Sequence, residues 1–358
     1  MRPIAGIAAG LVAVALGGSV HLPRLLLGRA RVIDALGALL VPAGLALIVV
    51  GVHRALHGRG WRTRLLAIVA GAVVVQWFVV PVLTAGLVIN APRRDAPAAT
   101  TLGLPGARDV SFRARDGVRL DGWYIPGRGR AAVIVAHGSH GNRAGALAHV
   151  RMLARVGYAV LAFDARGHGS SAGETNALGW RGADDVGGAV AFLQRRPGVD
   201  PQRIALLGLS MGAEEGLRAA ADGVPLAAVV ADGAGASTLG DQRLIEHGAL
   251  PSSVAWLSMR ATELLSGTSE PPALERIVPR IGVPVLLIAS GARDELRIDS
   301  AYQRRIGERA HLWSVPDAAH TKAIQRHPLA YAALVTHFLR SGSPAIRAAR
   351  SGARRRGA

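Results

Sequence analysis

Three long apolar stretches dominate the first 90 residues of the chain. Residues 4–20 are apolar or small except for Ser19, and residues 32–52 contain a single charge, Asp34, close to one end. Residues 65–89 carry only one amide and one hydroxyl among apolar side chains. A helix needs roughly 20 such residues to cross the hydrocarbon core of a bilayer. The pattern therefore predicts three transmembrane helices, although the short first stretch also has the length of a signal peptide.

From residue 107 onward, short apolar runs alternate with amphipathic stretches. Two runs joined at Asp116-Gly117 predict a hairpin. The later runs predict buried strands with helices between most of them, at residues 131–136, 158–163, 203–207, 226–231, 283–289 and 311–315. Buried strands that alternate with helices are typical of a mostly parallel sheet with helices on both faces. The predicted fold class is therefore α/β, preceded by a transmembrane helical region.

Changes in this pattern mark the expected domain boundaries. Residues 1–90 hold the three apolar stretches, and the proline-rich residues 91–106 are a predicted linker. Residues 107–340 form the α/β domain, and the basic residues 341–358 are a predicted disordered tail. Within the domain, residues 234–282 lack a strand pattern and look largely helical, so we expect a small helical lid there.

The segment 208–212, Gly-Leu-Ser-Met-Gly, lies between a predicted buried strand and a predicted helix. A sharp strand-to-helix turn brings backbone segments close together, so glycine suits positions 208 and 212, here Gly208 and Gly212. Such a turn lifts a serine hydroxyl out of the fold, where a substrate carbonyl can reach it. Ser210 is therefore the predicted nucleophile; the alternative is a glycine-rich turn with an idle serine.

A serine nucleophile needs a base, and the base needs an acid that holds it. His320 follows the predicted strand 311–315 by a short loop, and Asp294 follows the predicted strand 283–289 in the same way. Both loops lie at carboxyl ends of strands, where open sheets bind ligands. We expect His320 as the base and Asp294 as the acid. The alternatives in the sequence are His311, His327 and His337 for the base, and Glu295, Asp299 and Asp232 for the acid.

The oxyanion formed from the carbonyl needs preorganised N–H donors, each worth roughly 3 kcal/mol in comparable sites. One expected donor is the backbone N–H of Met211, at the start of the helix that follows the nucleophile. The other is the backbone N–H of Ser139, in the loop after the predicted strand 131–136. His137 and Gly138 of the same loop are expected to shape the site.

Five short motifs occur in the order of a known enzyme family, namely His137-Gly138, the stretch 164–170 (Asp-Ala-Arg-Gly-His-Gly-Ser), the segment 208–212, Gly291 with Asp294, and Ala319-His320. On these motifs, residues 106–340 resemble the α/β-hydrolase superfamily, near its serine-aminopeptidase-like and dienelactone-hydrolase-like groups. The resemblance implies an α/β-hydrolase fold. It also implies hydrolysis of an ester, thioester or amide through an acyl-enzyme, without a metal or an organic cofactor.

The same site would serve a peptidase or an acyltransferase, and both stay open as alternatives. A non-catalytic membrane scaffold or sensor with a hydrolase-like domain is the alternative from another class. Glu214 and Glu215 depart from the small residues common after such a serine. A structural role is expected for them, because carboxylates in a first helical turn favour the helix dipole. The expected partners are the membrane and a small-molecule or lipid-like acyl substrate.

The positions of the charged residues indicate which partners the chain has and how it is oriented in a membrane. Most of the net charge of +18 lies around the apolar stretches and in the tail, without the basic–aromatic pattern of a nucleic-acid interface. The absence of cysteine excludes disulfides and a thiolate nucleophile. Arginines flank the apolar stretches on both sides, and the denser group between the second and third favours a cytoplasmic N-terminus. The α/β domain would then lie outside a bacterial cell membrane.

Overall fold

The computed structural model describes residues 3–26, 31–90, 93–245, 252–291 and 293–341. The chain divides into two compact units. The first unit contains Met1–Arg93 and His247–Glu270, and the second contains Arg94–Glu246 and Pro271–Ala358. The predicted tail 341–358 lies, beyond its first residue, outside the described residues.

Three helical segments of the first unit are long and apolar enough to cross a membrane, namely Pro3–Leu26, Val32–Leu56 and Trp61–Ile89. They cover the three predicted stretches and extend beyond each of them. The first and second segments approach closely, since a Cβ added to Gly10 would lie 2.5 Å from the carbonyl oxygen of Gly44. Small residues at such contacts are typical of helices that pack in lipid.

Large apolar side chains cover the exposed surface of these three segments, among them Ile4, Val32, Leu66 and Phe78. Such a surface is typical of helices that face hydrocarbon. The segments contain the α-helical stretches Pro3–Leu16, Leu22–Leu26, Val32–Ala38, Leu40–Leu56, Trp61–Val74 and Val80–Ile89, with π-helical turns at Gly17–His21 and Val75–Val79.

The second unit is built on one eight-stranded sheet. The strands are β1 (Arg108–Arg113), β2 (Arg119–Ile125), β3 (Ala132–Ala136), β4 (Ala159–Phe163), β5 (Ile204–Leu209), β6 (Val229–Asp232), β7 (Val285–Ser290) and β8 (Ala310–Val315). Their spatial order is β1-β2-β4-β3-β5-β6-β7-β8. The pairs β1–β2 and β2–β4 are antiparallel, and all other pairs are parallel. The predicted mostly parallel α/β sheet with a leading hairpin is confirmed.

Six longer helices accompany the strands along the chain, namely α1 (Leu147–Val156), α2 (Gly182–Gln194), α3 (Met211–Ala221), α4 (Ser252–Ser266), α5 (Arg293–Ile306) and α6 (Pro328–Ser341). Short helical turns lie at Ala99–Leu102, Arg143–Ala146, Leu239–Gln242, Leu274–Ile277, Val278–Arg280, Gly307–Arg309 and Ala323–Arg326. Neighbouring strand residues point to opposite faces, so Ile134 joins a buried cluster with Leu217 of α3, and Val135 joins one with Phe338 of α6. Helices therefore cover both faces of the sheet.

Two elements differ from the predicted ones, and both differences affect function. The helix between β7 and β8 begins at Arg293, so Asp294 lies in its first turn and not on a loop as predicted; acidic residues in a first turn favour the helix dipole. The predicted lid segment 234–282 supplies α4, which belongs to the first unit. There α4 packs against the helical stretch Val80–Ile89 of the third apolar segment.

Candidate active site

Ser210 joins β5 to α3 in a backbone conformation that few residues adopt. Its φ is 53° and its ψ is −115°, and a positive φ of this kind costs a non-glycine residue on the order of 1–3 kcal/mol. The N–H of Ser210 donates to the carbonyl oxygen of Asp232 at 2.8 Å, which ties the turn to the end of β6. Backbone strain held by such neighbours is concentrated at active sites. Ser210 thus occupies the sharp elbow that the sequence predicts.

The two glycines of the elbow stand where the backbone leaves no space for a side chain. A Cβ added to Gly208 would lie 2.1 Å from the carbonyl oxygen of Gly212. A Cβ added to Gly212 would lie 2.6 Å from the carbonyl oxygen of Ala136, at the end of β3. These contacts are with backbone atoms, which cannot rotate away, so the turn closes only with glycine at both positions.

We expect Gly208→Ala and Gly212→Ala to destabilise the second unit by at least about 1–3 kcal/mol, because each added methyl must displace backbone. The measurement is the apparent Tm of the detergent-solubilised protein. Gly145→Ala is the matched control, since a Cβ at Gly145 meets no atom within 4 Å. Elbow variants that melt at the same temperature as this control would contradict the close approach.

His320 is held by a buried carboxylate of α5. Its Nδ1 lies 2.7 Å from Oε2 of Glu295, and the other carboxylate oxygen, Oε1, accepts the N–H of Ser290 at 2.6 Å. The Glu295 side chain is 7% exposed and that of His320 is 53% exposed. The hydrogen bond that His320 donates to Glu295 raises the pKa of His320 above its ordinary value of 6.5. With Nδ1 donating to Glu295, Nε2 of His320 is free of a proton and can accept one from a serine hydroxyl.

The acid that the sequence predicts, Asp294, does not contact His320 in this structure. Asp294 is exposed, and the carboxylate against the imidazole belongs to the next residue, Glu295. The physical reason is the early start of α5 at Arg293. Successive residues of an α-helix are about 100° apart around its axis, so when Glu295 faces inward Asp294 faces solvent. The structure thus brings Glu295, and not the predicted Asp294, against His320.

Two further carboxylates were alternatives for the acid, and both are buried. Oδ2 of Asp232 accepts the hydroxyl of Tyr331 at 2.8 Å, and burial raises the pKa of Asp232 to about 7. Burial also raises the pKa of Asp299, helped by the negative charge of Glu295. Neither carboxylate is hydrogen-bonded to His320 in the part of the chain that the structure describes.

Ser210 and His320 lie on either side of one short turn after β6. Ser210 is bonded to the carbonyl of Asp232, and a Cβ added to the next residue, Gly233, would lie 2.7 Å from Cε1 of His320. Between the described residues, no hydrogen bond joins Ser210 to His320. Catalytic hydrogen bonds are often long without substrate and tighten when it binds. Of the other candidate bases, His327 is bonded to Asp317 at 2.9 Å on the surface.

The loop after β3 lies directly beside the serine. A Cβ added to Gly138 would be 3.3 Å from Cβ of Ser210. His137 fixes this loop, because its Nδ1 donates to the carbonyl of Gly138 at 2.7 Å and its Nε2 accepts the N–H of Ala165 at 3.0 Å. Burial lowers the pKa of His137, so the ring stays neutral in this role. The predicted donor Ser139 is the next, exposed residue of the loop.

The second predicted donor, Met211, is the first residue of α3. The N–H groups of a helix's first four residues have no acceptor within the helix, so this donor is available to an oxyanion. Glu214 and Glu215 follow in the same helix and are buried, and burial raises the pKa of both. Oε2 of Glu214 accepts the N–H of Ser237 at 3.2 Å, which ties α3 to the chain after β6.

The raised pKa of His320 predicts the pH dependence of the reaction. His320 acts as a base only when neutral, so kcat/KM is full at high pH and falls as the pH drops through the pKa of His320. Because Glu295 raises that pKa, the acidic limb lies above the ordinary value of 6.5. The measurement is kcat/KM for an ester between about pH 5 and pH 9. A rate that stays constant down to pH 5 would contradict a histidine base.

Comparison with known proteins places residues 116–320 of this chain in a family. A profile of the X-Pro dipeptidyl-peptidase (S15) family matches residues 116–320 of this chain. An uncharacterized protein of Mycobacterium tuberculosis (strain H37Rv) is 35% identical over 201 residues, which are 55% of this chain and 66% of that protein. The chain thus spans just under two thirds of this relative's length. The protein YfhR of Escherichia coli O157:H7 is 28% identical over 250 residues, covering 66% of this chain and 81% of YfhR.

The chain is also similar to solved structures. An esterase of Pyrococcus furiosus is 26% identical, with a TM-score of 0.56, and the match covers 71% of this chain and 97% of the esterase. The range matched by the family profile runs from the hairpin of β1 and β2 to His320, so it contains Ser210 and Glu295. It also covers more than half of the 358 residues. The chain therefore belongs to the X-Pro dipeptidyl-peptidase (S15) family and is a hydrolase with the α/β-hydrolase fold.

Proposed function

We propose that this protein is a membrane-anchored serine hydrolase that forms an acyl-enzyme on Ser210. The observation that supports this most is the strained Ser210 elbow beside the His320–Glu295 hydrogen bond, all at one edge of the sheet. A nucleophile, an acid and a base, which follow one another along the chain as Ser210, Glu295 and His320, are the parts that acyl transfer from an ester, thioester or amide requires.

In the proposed first step, Nε2 of His320 takes the hydroxyl proton of Ser210 as Oγ attacks the acyl carbonyl carbon. The carbonyl oxygen becomes an oxyanion, which accepts hydrogen bonds from the N–H groups of Met211 and Ser139. The intermediate then collapses, the bond to the leaving group breaks, and His320 returns the proton to that group. Glu295 stays ionised throughout and stabilises the imidazolium.

In the second step, water takes the place of the serine hydroxyl. His320 removes a proton from the water as its oxygen attacks the acyl-serine carbonyl. Collapse of this second intermediate breaks the ester bond to Ser210, and the proton on His320 passes to the serine oxygen. The products are the carboxylic acid and the free enzyme, so the cycle is balanced without a cofactor.

Carboxylic esters are the substrate class we propose, on the support of the similar Pyrococcus furiosus esterase. We expect a higher kcat/KM for p-nitrophenyl esters than for X-Pro p-nitroanilides, measured on the purified full chain in detergent. Ser210→Ala serves as the control for each substrate. Turnover of neither substrate class by folded protein would contradict hydrolysis.

A peptidase is the second candidate, because the family that matches residues 116–320 is described as X-Pro dipeptidyl-peptidase. The same triad would cleave an amide if the site also held the amino terminus of a peptide. Preferential turnover of the X-Pro p-nitroanilides, lost in Ser210→Ala, would favour this candidate over the esterase.

Anchoring to a membrane is supported by the three apolar segments of the first unit. Their length matches what a bilayer requires, and their exposed surface is apolar. The arginine pattern favours an extracytoplasmic position for the second unit. An anchored hydrolase meets substrates that are dissolved in the bilayer or lie close to it.

A further inference from the structure

The helix α4 has an unusual position along the chain. It lies between β6 and β7, so it is an insertion into the sheet of the second unit. Its residues nevertheless belong to the compact first unit, with the apolar segments. Its partner there is the helical stretch Val80–Ile89, together with the π-helical turn Val75–Val79 before it.

The partner of α4 determines its surroundings. The third apolar segment, Trp61–Ile89, has 29 residues, and about 20 are enough to cross the hydrocarbon core. Its final 15 residues therefore run from inside the bilayer to the interface with water. A helix that packs along this part of the segment lies at the same depth. We infer that α4 is a lipid-contacting helix, whose exposed face meets the acyl chains and headgroups of the bilayer.

Two hydroxyl groups of α4 are satisfied within the helix itself, as a poorly hydrated environment demands. The hydroxyl of Ser258 donates to the carbonyl of Val254 at 2.9 Å, and that of Thr262 donates to the carbonyl of Ser258 at 2.9 Å. Hydroxyls that bond to the carbonyl four residues earlier need no water. In lipid every polar group must find its partner inside the protein.

The cation of α4 is paired as well. Arg260 contacts two carboxylates, Glu263 at 2.6 Å and Glu270 at 2.5 Å. Its guanidinium carbon also lies 5.9 Å from the ring centroid of Trp256. An arginine that is ion-paired with carboxylates and lies beside a tryptophan is typical of the interfacial zone of a bilayer. Both side chains have an apolar part and a polar end, which suits the boundary between hydrocarbon and water.

The outward face of α4 carries two exposed apolar side chains, with the ion-paired and partly exposed Arg260 between them. The side chain of Leu264 is 84% exposed and that of Trp256 is 52% exposed. They are eight residues apart, so they lie about two turns apart along one side of the helix. The inward face carries the buried residues Val254 and Met259. The helix packs on the third apolar segment, whose own exposed side chains are largely apolar, which is why we assign lipid and not a protein partner to the exposed face of α4.

The inference rests on the proposed membrane anchoring and adds that the insertion of the hydrolase sheet itself reaches the bilayer. It deepens the proposed function, because a hydrolase whose insertion lies among lipids is suited to acyl esters of membrane lipids. The helix α4 within the predicted lid would then contact lipid and would not be part of a soluble cap.

The test uses the fact that the chain contains no cysteine. Single variants Leu264→Cys, Leu66→Cys and Leu329→Cys are labelled with a nitroxide and reconstituted into vesicles of phosphatidylcholine and phosphatidylglycerol. All three leucines are at least 70% exposed, so labelling should leave the fold intact. Collisions with oxygen and with a water-soluble nickel chelate are measured by electron paramagnetic resonance. Leu66 represents the third apolar segment, and Leu329 of α6 represents the second unit.

We expect the oxygen-to-nickel collision ratio at position 264 to be several-fold higher than at 329 and to approach that at 66. A ratio at 264 equal to that at 329, with a high ratio at 66, would overturn the lipid contact of α4 while membrane anchoring stands. Low ratios at both 264 and 66 would overturn the anchoring itself. Trp256→Cys repeats the measurement about two turns earlier on the same face, and a low ratio there would also count against the inference.

Discussion

Ser210→Ala is expected to lower kcat for ester hydrolysis by roughly 10⁴-fold or more, because no other group can form the acyl-enzyme. The strained turn that holds Ser210 accepts alanine without a larger side chain, so the loss should come from chemistry and not from unfolding. Residual turnover would reflect the oxyanion donors and substrate binding alone. The measurement is steady-state kinetics with a p-nitrophenyl ester, together with the apparent Tm of the variant.

Ser314→Ala is the matched control for this loss. Ser314 is an exposed residue of β8, and the substitution removes the same hydroxyl. We expect its kcat to stay within about two-fold of the wild type, as for other surface changes. If Ser210→Ala keeps wild-type activity while folded, the nucleophile lies elsewhere. If folded wild-type protein shows neither turnover nor fluorophosphonate labelling, the protein is the non-catalytic scaffold or sensor that the sequence leaves open.

Glu295→Gln is expected to lower kcat by roughly 10³–10⁴-fold with little change in fold. The amide oxygen can still accept the N–H of Ser290, which leaves the amide NH₂ facing Nδ1 of His320. An NH₂ donor favours the tautomer with the proton on Nε2, and that nitrogen can then accept no proton from Ser210. The carboxylate that raises the pKa of His320 is also lost, so the acidic limb of kcat/KM should move to lower pH.

Asp294→Asn is the matched comparison, because it makes the same chemical change one residue earlier. Asp294 is exposed and does not contact His320. We therefore expect kcat to stay within about two-fold of the wild type, and the acidic limb of kcat/KM to stay at the same pH. The reverse pattern, with the large loss in Asp294→Asn, would mean that α5 unwinds at its start when the enzyme works. The two variants therefore show whether Glu295, which contacts His320 in the structure, or Asp294, which the sequence pattern predicts, is the catalytic acid.

The pattern of hydrophobic positions was sufficient to predict most of this architecture. The fully buried strands β3 to β7 are short, largely apolar runs, and a run of four to six such residues between turn signals favours a buried strand. The elbow was equally predictable, because the turn leaves no space for side chains at positions 208 and 212 and both residues are glycine. Ser210 could therefore be placed before any tertiary contact was known.

The acid could not be placed in the same way. The residues from 291 to 295 contain two adjacent carboxylates, and which of them faces inward depends on where α5 begins. A shift of one residue turns a side chain by about 100°, while the start of a helix is the least certain feature of a sequence pattern. The i+4 spacing from Glu295 to buried Asp299 marks the inward face, and it is the signal that could have favoured Glu295.

The element that packs against α4 also could not be predicted from the sequence. The pattern of α4 is that of an amphipathic helix, which predicts one buried face but not the element that covers it. In the structure that element is the third apolar segment, more than 160 residues earlier in the chain. Contacts of such separation depend on the tertiary fold. The structure has α4 and the shorter helices Leu239–Gln242 and Leu274–Ile277 within segment 234–282, but the sequence does not indicate that His247–Glu270 belongs to the first unit.

The most direct test of the proposed mechanism is the position of a covalent adduct. Wild-type protein is treated with a fluorophosphonate, digested, and the modified peptide is identified by mass spectrometry. We expect one adduct, on Ser210, which forms more slowly as His320 becomes protonated and much more slowly in Glu295→Gln. An adduct on another residue, or none in folded protein, would contradict the proposed mechanism.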